Sequence, residues 1–341
     1  MTAKIKAKTK NLLIEKTKMR KIITIGESVL DMLFRDGLPE RSFVGGRIAN
    51  SAAALGQLGL PVSMVSECGA DRVGDMVVDF LSTHNVDVKS VDRFTDGTTA
   101  FSAIFCDTGK AKKIVNYGRY PADRFDVVWP RIDEDDIVLF GSLYAIDTPQ
   151  RERLFELISY AAERKAIIVY LPGFQHGINM RITRVMPAIL ENLEIADIVI
   201  AHERDINNIF PGETSEQAFR NHIEFYCPTY LHINPDLGVT LFSTGKRHDF
   251  AHSEALATDN LLGWQSGFAA GIIYMILRNG LTRDQVAATD DDTWQGIIDV
   301  AKSFAAECAS TADNCLTQGF AEQRKADLEV AMARQEELKN K

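Results

Sequence analysis

Short apolar runs alternate with longer segments of helical spacing from residue 21 onward. Lys21 to Ile25 is a β-branched run closed by Gly26, the pattern of a buried strand with a tight exit. Ile48 to Leu58, rich in Ala and Leu, predicts a helix that ends at Gly59 with Pro61 just beyond, and Val62 to Val65 predicts the next strand. Arg72 to His84 predicts a second helix with Val77, Phe80 and Leu81 on one face. Thr98 to Phe105 and Lys113 to Tyr117 bracket a turn at Asp107, Thr108 and Gly109, which predicts a hairpin inserted into the alternating chain as a lid. Strands are expected next at Ile137 to Phe140, Ile167 to Tyr170, Ile195 to Ile200, Tyr230 to Ile233 and Thr240 to Phe242, most of them separated by helical stretches. Such alternation predicts a doubly wound α/β fold, a mostly parallel sheet covered on both faces. Ala321 to Lys341 is charged and Ala-rich with little to bury, so a surface helix that frays at its end is expected there.

Composition narrows the function classes. With 341 residues, 45% apolar and 25% charged, the chain has the makeup of a globular protein with one large core or two modest ones. A net charge of -9 argues against nucleic acid and anionic membrane surfaces as partners, because both reward clustered positive charge. The longest apolar stretches, such as Phe268 to Leu277, fall short of the roughly 20 residues that span a bilayer. The 5 cysteines form no CxxC pair and no His-spaced zinc pattern, so buried thiols in a reducing cytoplasm are expected rather than disulfides or a structural metal. Residues 1–20 carry many lysines against the single acid Glu15 and lack a secretory signal's apolar core. They read as a disordered basic arm, or as a segment ahead of a natural start at Met19. The domain expected is 21–320, with lid segments near 31–44 and 95–120 and a C-terminal helix over 321–341.

Two motifs precede and open the first helix: Gly26-Glu27-Ser28-Val29-Leu30-Asp31 and Gly45-Gly46-Arg47-Ile48-Ala49-Asn50. Adjacent glycines let the backbone approach a ligand closely, and Asp31 and Asn50 offer an acceptor and an amide to vicinal hydroxyls. That chemistry suits a polyol; the plainer reading has Gly45 and Gly46 making a turn and Asn50 capping or packing. Further segments are Cys68-Gly69-Ala70-Asp71-Arg72-Val73-Gly74, Asn85-Val86-Asp87 and Gly141-Ser142 after a strand. Together these resemble the PfkB/ribokinase family of carbohydrate and nucleoside kinases over residues 21–320. The resemblance implies a sheet-and-helix core with a small β-lid and a sugar-like or nucleoside-like ligand contacting Asp31, Gly45, Gly46 and Asn50. It also implies ATP with Mg2+ toward the C-terminal half if the chain is active, and a lid able to form a homodimer contact.

Departures from the family pattern cluster on the nucleotide side. Where the family carries D-T-x-G-A-G-D, the chain reads Asn260-Leu261-Leu262-Gly263-Trp264-Gln265-Ser266, and the F-x-A-G helix start that follows fixes the alignment. Ser266 therefore stands at the position of the family's catalytic base, and loss of a general base costs a factor of about 10² to 10⁴. Only Gly263 remains of the two glycines. Trp264 and Gln265 bring side chains to a helix start that binds phosphate through open N–H donors, obstructing them or pointing away. Leu171-Pro172-Gly173-Phe174-Gln175 lacks the acid and arginine of the family's D-P-N-x-R. His202-Glu203-Arg204-Asp205 partly matches N-x-x-E, which the family associates with magnesium and phosphate. Ile233-Asn234-Pro235 replaces T-x-G, with Gly238 a few residues on. No metal site is assigned on this basis.

Three readings follow. One is an ATP-dependent sugar kinase with an unusual site, since phosphoryl transfer rests largely on positioning and charge neutralisation. Another is a non-catalytic sugar or sugar-phosphate sensor, or an inactive partner of a true kinase. A scaffold role is the third, against which the intact Asp31, Gly45, Gly46 and Asn50 count. The scattered histidines, most of them read as surface or capping residues, have no Ser or Cys motif beside them that points to a triad.

Overall fold

The computed structural model describes residues 19–106, 113–174, 181–234, 236–243, 246–250 and 263–339. The arm up to residue 18, the turn at Asp107, Thr108 and Gly109, Gln175, Pro235 and the stretch Asn260 to Leu262 lie outside the described residues.

In chain order the N-terminal elements are β1 (Ile22–Ile25), β2 (Val29–Arg35), β3 (Leu38–Gly45), α1 (Arg47–Gln57), β4 (Val62–Gly69), α2 (Arg72–Thr83), β5 (Val86–Phe94), β6 (Thr98–Phe105) and β7 (Lys113–Arg119). Next come β8 (Ile137–Ser142), α3 (Arg151–Glu163), β9 (Ile167–Pro172), α4 (Ile182–Ile195), β10 (Ile198–His202), α5 (Glu203–Ile209) and α6 (Ser215–Ala218). The chain closes with β11 (Thr229–Ile233), β12 (Val239–Ser243), β13 (Lys246–Phe250), α7 (Trp264–Asn279), α8 (Arg283–Ala287), α9 (Asp291–Ser310) and α10 (Gln318–Lys339).

A 9-stranded sheet runs in the order β13-β12-β11-β10-β9-β8-β1-β4-β5. Its pairings are parallel from β5 to β11 and antiparallel only at the β11–β12 and β12–β13 edge. Strand residues alternate between two cores, as the pleat requires. Ile22, Val62, Met64, Ile137 and Leu139 pack with α1, α7 and α9, whereas Ile23, Ile25, Val65, Val138 and Phe140 pack with α3 and α4. Helices α7 and α9 approach closely because Gly271 has no side chain: a Cβ there would lie 2.5 Å from the Ala301 Cα.

A second, 4-stranded sheet has the order β3-β2-β6-β7. Its β2–β6 pairing is parallel, Leu30 opposite Phe101 and Phe34 opposite Phe105, so the segment after β1 and the β6–β7 hairpin form one covering layer.

One expectation needs correction. The C-terminal helix begins at Gln318 and is more than a surface element: Ala321 and Leu328 are buried in the core, and Tyr274 donates its hydroxyl to the Arg324 carbonyl at 2.9 Å. Among the histidines His232 is an exception, neither at the surface nor a cap. It sits fully buried on β11, with Nδ1 2.6 Å from the Tyr230 hydroxyl and Nε2 2.6 Å from Glu203 Oε2, and burial pulls its pKa down. Among the described residues, no helix is long and apolar enough to cross a membrane.

Candidate ligand site

A cavity of about 640 Å³ opens at the C-terminal ends of β1, β8, β9 and β10, beneath the smaller sheet. Ligands of open α/β sheets collect at these strand ends because loops there diverge and helix N-termini point inward. Its roof is the inner face of the covering layer, with Val29 and Asp31 from β2, Ala100, Ser102 and Ile104 from β6, and Ile114 and Asn116 from β7.

At the roof end, Asp31 is placed by the missing side chain of Gly45, where a Cβ would come within 2.0 Å of Asp31 Oδ2. Gly46 caps α1 with φ at 103°, a conformation that favours glycine, and a Cβ there would meet the Glu27 carbonyl oxygen at 2.2 Å. The tight corner delivers Asn50 to the cavity wall in the first turn of α1, its backbone N–H donating to the Gly46 carbonyl at 2.9 Å. Asn50 is buried, and its Oδ1 has no hydrogen-bond partner among the described residues. A buried acceptor of this kind costs about 1–3 kcal/mol until something donates to it, which a ligand hydroxyl can do. Glu27 also lines the wall: its Oε2 is sealed from solvent without a partner among the described residues, and burial raises its pKa against the opposing pull of Arg47 and Ser142.

On the floor, Arg47 reaches across the cavity. Its Nη1 donates to the Pro172 carbonyl at 3.1 Å and lies 3.2 Å from Asp205 Oδ2. Nη2 stands 3.4 Å from Asp205 Oδ1, so one guanidinium engages both carboxylate oxygens. Gln265 Nε2 adds a contact to Asp205 Oδ2 at 3.4 Å. Asp205 is 3% exposed, and its charge is met by a resident cation. His202 caps α5, its Nδ1 accepting from the Arg204 backbone N–H at 3.1 Å; burial lowers its pKa, with the Arg204 and Arg47 charges acting the same way. On the opposite wall, the buried Arg124 guanidinium pairs with Glu67 and Asp147 and lies 3.8 Å from the Tyr120 ring centroid.

Asp31, Gly46, Asn50, His202 and Asp205 therefore line one cavity, with Gly45 directly behind Asp31. Gly263, Ser266 and Gly238 are not on its lining. Ser266 is 1% exposed in the first turn of α7; its carbonyl accepts from Ser51 Oγ at 3.0 Å, and its own Oγ has no partner among the described residues. Trp264 borders the cavity but is buried in the core, stacked on Phe268 at 5.2 Å between centroids, so its indole does not project over the helix start. Arg124 and Asn314 were not singled out by sequence reasoning, and Glu27, Arg47 and Ser142 lay inside quoted motifs without a role of their own. For Arg47, its position one residue after Gly46 was the available signal.

A mostly parallel sheet flanked by helices, with a four-stranded cover over a cavity at the strand ends, is the ribokinase-like fold. A model of the pfkB family of carbohydrate kinases matches residues 39–221. The chain belongs to that family. A fructokinase from Rhizobium leguminosarum bv. trifolii is 26% identical over 286 residues, covering 79% of this chain and 84% of the relative. Among solved structures, the aminoimidazole riboside kinase of Salmonella enterica, complexed with aminoimidazole riboside and an ATP analogue, superposes with a TM-score of 0.74 at 16% identity. That alignment covers 90% of this chain and 99% of the other. The fructokinase of Xylella fastidiosa with bound ATP gives 0.73 at 16% identity, covering 91% and 99%. At such identities, the structural matches speak to the fold alone.

Proposed function

We propose that the chain binds a small polyhydroxylated ligand, a sugar or nucleoside, between Asp31, Asn50 and Gly46, and that it is not an efficient phosphotransferase. The observation that carries this reading is the closed set Arg47, Asp205 and Gln265, formed while the Ser266 hydroxyl is withdrawn from the cavity. A carboxylate already held by a guanidinium has little charge left to recruit Mg2+, and no carboxylate stands at the base position. The polyol end, by contrast, presents the buried Asn50 Oδ1, an acceptor with no hydrogen-bond partner among the described residues. Kinship with fructokinase supports a sugar as the ligand. The chain then acts as a sensor or as an inactive partner of a working kinase, in a reducing cytoplasm that suits its 5 free cysteines.

A slow ATP- and Mg2+-dependent sugar kinase is the second reading. It is favoured by the burial of Trp264 against Phe268, which does not block the start of α7. A turnover assay separates the two. Incubation with Mg–ATP and each of a panel of sugars is expected to release ADP no faster than the same mixture without protein; sugar-dependent release establishes the kinase.

The covering layer supports a homodimer contact through its outer face. The residues opposite the cavity side include Leu30, Met32, Phe34, Phe101 and Phe105, with Phe34 stacked on Phe105 at 5.1 Å and Phe101 on Tyr117 at 4.9 Å. Tyr117 is 48% exposed. An apolar stripe of stacked rings fits a second copy of itself about a twofold axis. Phe101→Glu is expected to convert a dimer to a monomer in a solution mass measurement; a wild-type monomer contradicts the contact.

A further inference from the structure

His84, Asp313 and Cys315 each offer one ligand atom, and those atoms lie within 4.8 Å of one another. None of the three belongs to the sugar end or to the Arg47–Asp205 pair. They come from distant parts of the chain, the residue capping the C-terminus of α2 and the loop between α9 and α10, so no zinc-type spacing shows in the sequence.

The surroundings are built to hold them. His84 Nδ1 lies 2.7 Å from the Phe80 carbonyl, to which it donates, fixing the ring and leaving Nε2 with its lone pair. Metal-binding histidines are oriented by this kind of backbone contact. Asp313 Oδ1 accepts from the Cys315 backbone N–H at 3.3 Å, which folds the loop so that the two side chains converge. Gln57 grips the next residue on both sides: its Nε2 donates to the Leu316 carbonyl at 2.9 Å, and its Oε1 accepts from the Leu316 N–H at 3.0 Å. The loop is therefore held in place without any ion.

We propose that His84, Asp313 and Cys315 bind a zinc-like divalent cation that fastens α2 to the loop between α9 and α10. A nitrogen, a carboxylate oxygen and a sulfur form a ligand set of intermediate softness, which selects Zn2+ over Mg2+ or Ca2+. One thiolate and one carboxylate balance a dication, and the thiol proton leaves to solvent as the metal–sulfur bond forms. Ligands about 2.0–2.3 Å from a shared ion stand roughly 3.2–3.8 Å apart, so the cluster needs to contract by about 1 Å. Three protein ligands leave a fourth position for water.

The site touches ligand binding through Asn314, which lies between two of the ligands and lines the cavity. Gly263, at the start of α7, packs against the same loop so tightly that a Cβ would sit 2.8 Å from Asn314 Cβ. A bound ion thus adds a tie between α2 and the wall where the cavity meets α7. The inference does not depend on whether the cavity transfers phosphate.

Cobalt titration of the full chain after removal of metals by chelation tests it. One equivalent of Co2+ is expected to raise a sulfur-to-cobalt charge-transfer band that Zn2+ displaces, and Zn2+ is expected to raise the thermal midpoint. Cys315→Ser should abolish the band and His84→Gln should weaken Co2+ binding by about 10-fold or more, while Cys106→Ser leaves both responses intact. If Cys315→Ser does not fold, the half-buried His84 provides the decisive variant. Absence of the band in the wild type overturns the proposal, as does a band unchanged in His84→Gln.

Discussion

Replacing Asp31 by alanine is expected to weaken sugar binding by about 10- to 100-fold while leaving the thermal midpoint nearly unchanged. Hydrogen bonds to a charged acceptor contribute about 1.5–3 kcal/mol, and a vicinal diol makes two contacts with one carboxylate. Stability is spared because Asp31 is half-buried at the cavity roof and carries no part of either core cluster. Gly45 makes the effect specific, since its bare backbone is what admits the carboxylate. Titration of wild type and variant with the same sugar measures the difference. Equal affinities would show that the ligand sits elsewhere.

Installing the family's carboxylate by Ser266→Asp is expected to lower stability and to generate no kinase activity. The position is in the first turn of α7, where the helix dipole favours an anion by about 0.3–1 kcal/mol, up to about 2 kcal/mol when partly buried. Taking an unpaired carboxylate out of water costs several kcal/mol, and Ser266 is 1% exposed, so burial wins. A net loss of about 2–4 kcal/mol corresponds to a fall of roughly 3–6 °C in the thermal midpoint of a chain this large. Thermal unfolding and ADP release read the two parts separately. A stable variant that releases ADP would mean that the serine faces the ligand after all.

Much of the fold was legible because strands buried on both faces are written as continuous apolar runs. Ile137–Ser142 and Ile167–Pro172 are fully buried along their whole length, and each was visible as a β-branched stretch. The covering layer was legible only in part. Thr98–Phe105 and Lys113–Arg119 alternate as a hairpin should, but the parallel pairing of β2 with β6 joins segments far apart in the chain, and no local pattern encodes it. His232 shows the same limit from the other side. A polar residue in the run Thr229–Ile233 reads as exposed, yet a strand in mid-sheet buries it, and Tyr230 and Glu203 then satisfy both ring nitrogens.

At the site, glycines carried most of the readable information. Gly45 and Gly46 are needed for steric reasons that hold at their own positions, so the motif pointed to Asp31 and Asn50 without knowledge of the tertiary structure. The Arg47–Asp205 pair could not be seen the same way, because its partners are 158 residues apart and meet only when β10 and the start of α1 come together at one end of the sheet. Glu67 and Arg124 are similar: a buried ion pair leaves no mark in composition or spacing.

The central claim is that the polyol end works while the phosphate-transfer end is closed by Arg47, Asp205 and Gln265. Calorimetric titration of the purified chain tests it most directly, using Mg–ATP alone, each of a panel of pentoses, hexoses and nucleosides alone, and the two together. Saturable heat from one polyol, with none from Mg–ATP in either the presence or absence of that polyol, is the predicted result. Mg–ATP binding that tightens when the polyol is present would contradict the account and establish a working kinase site.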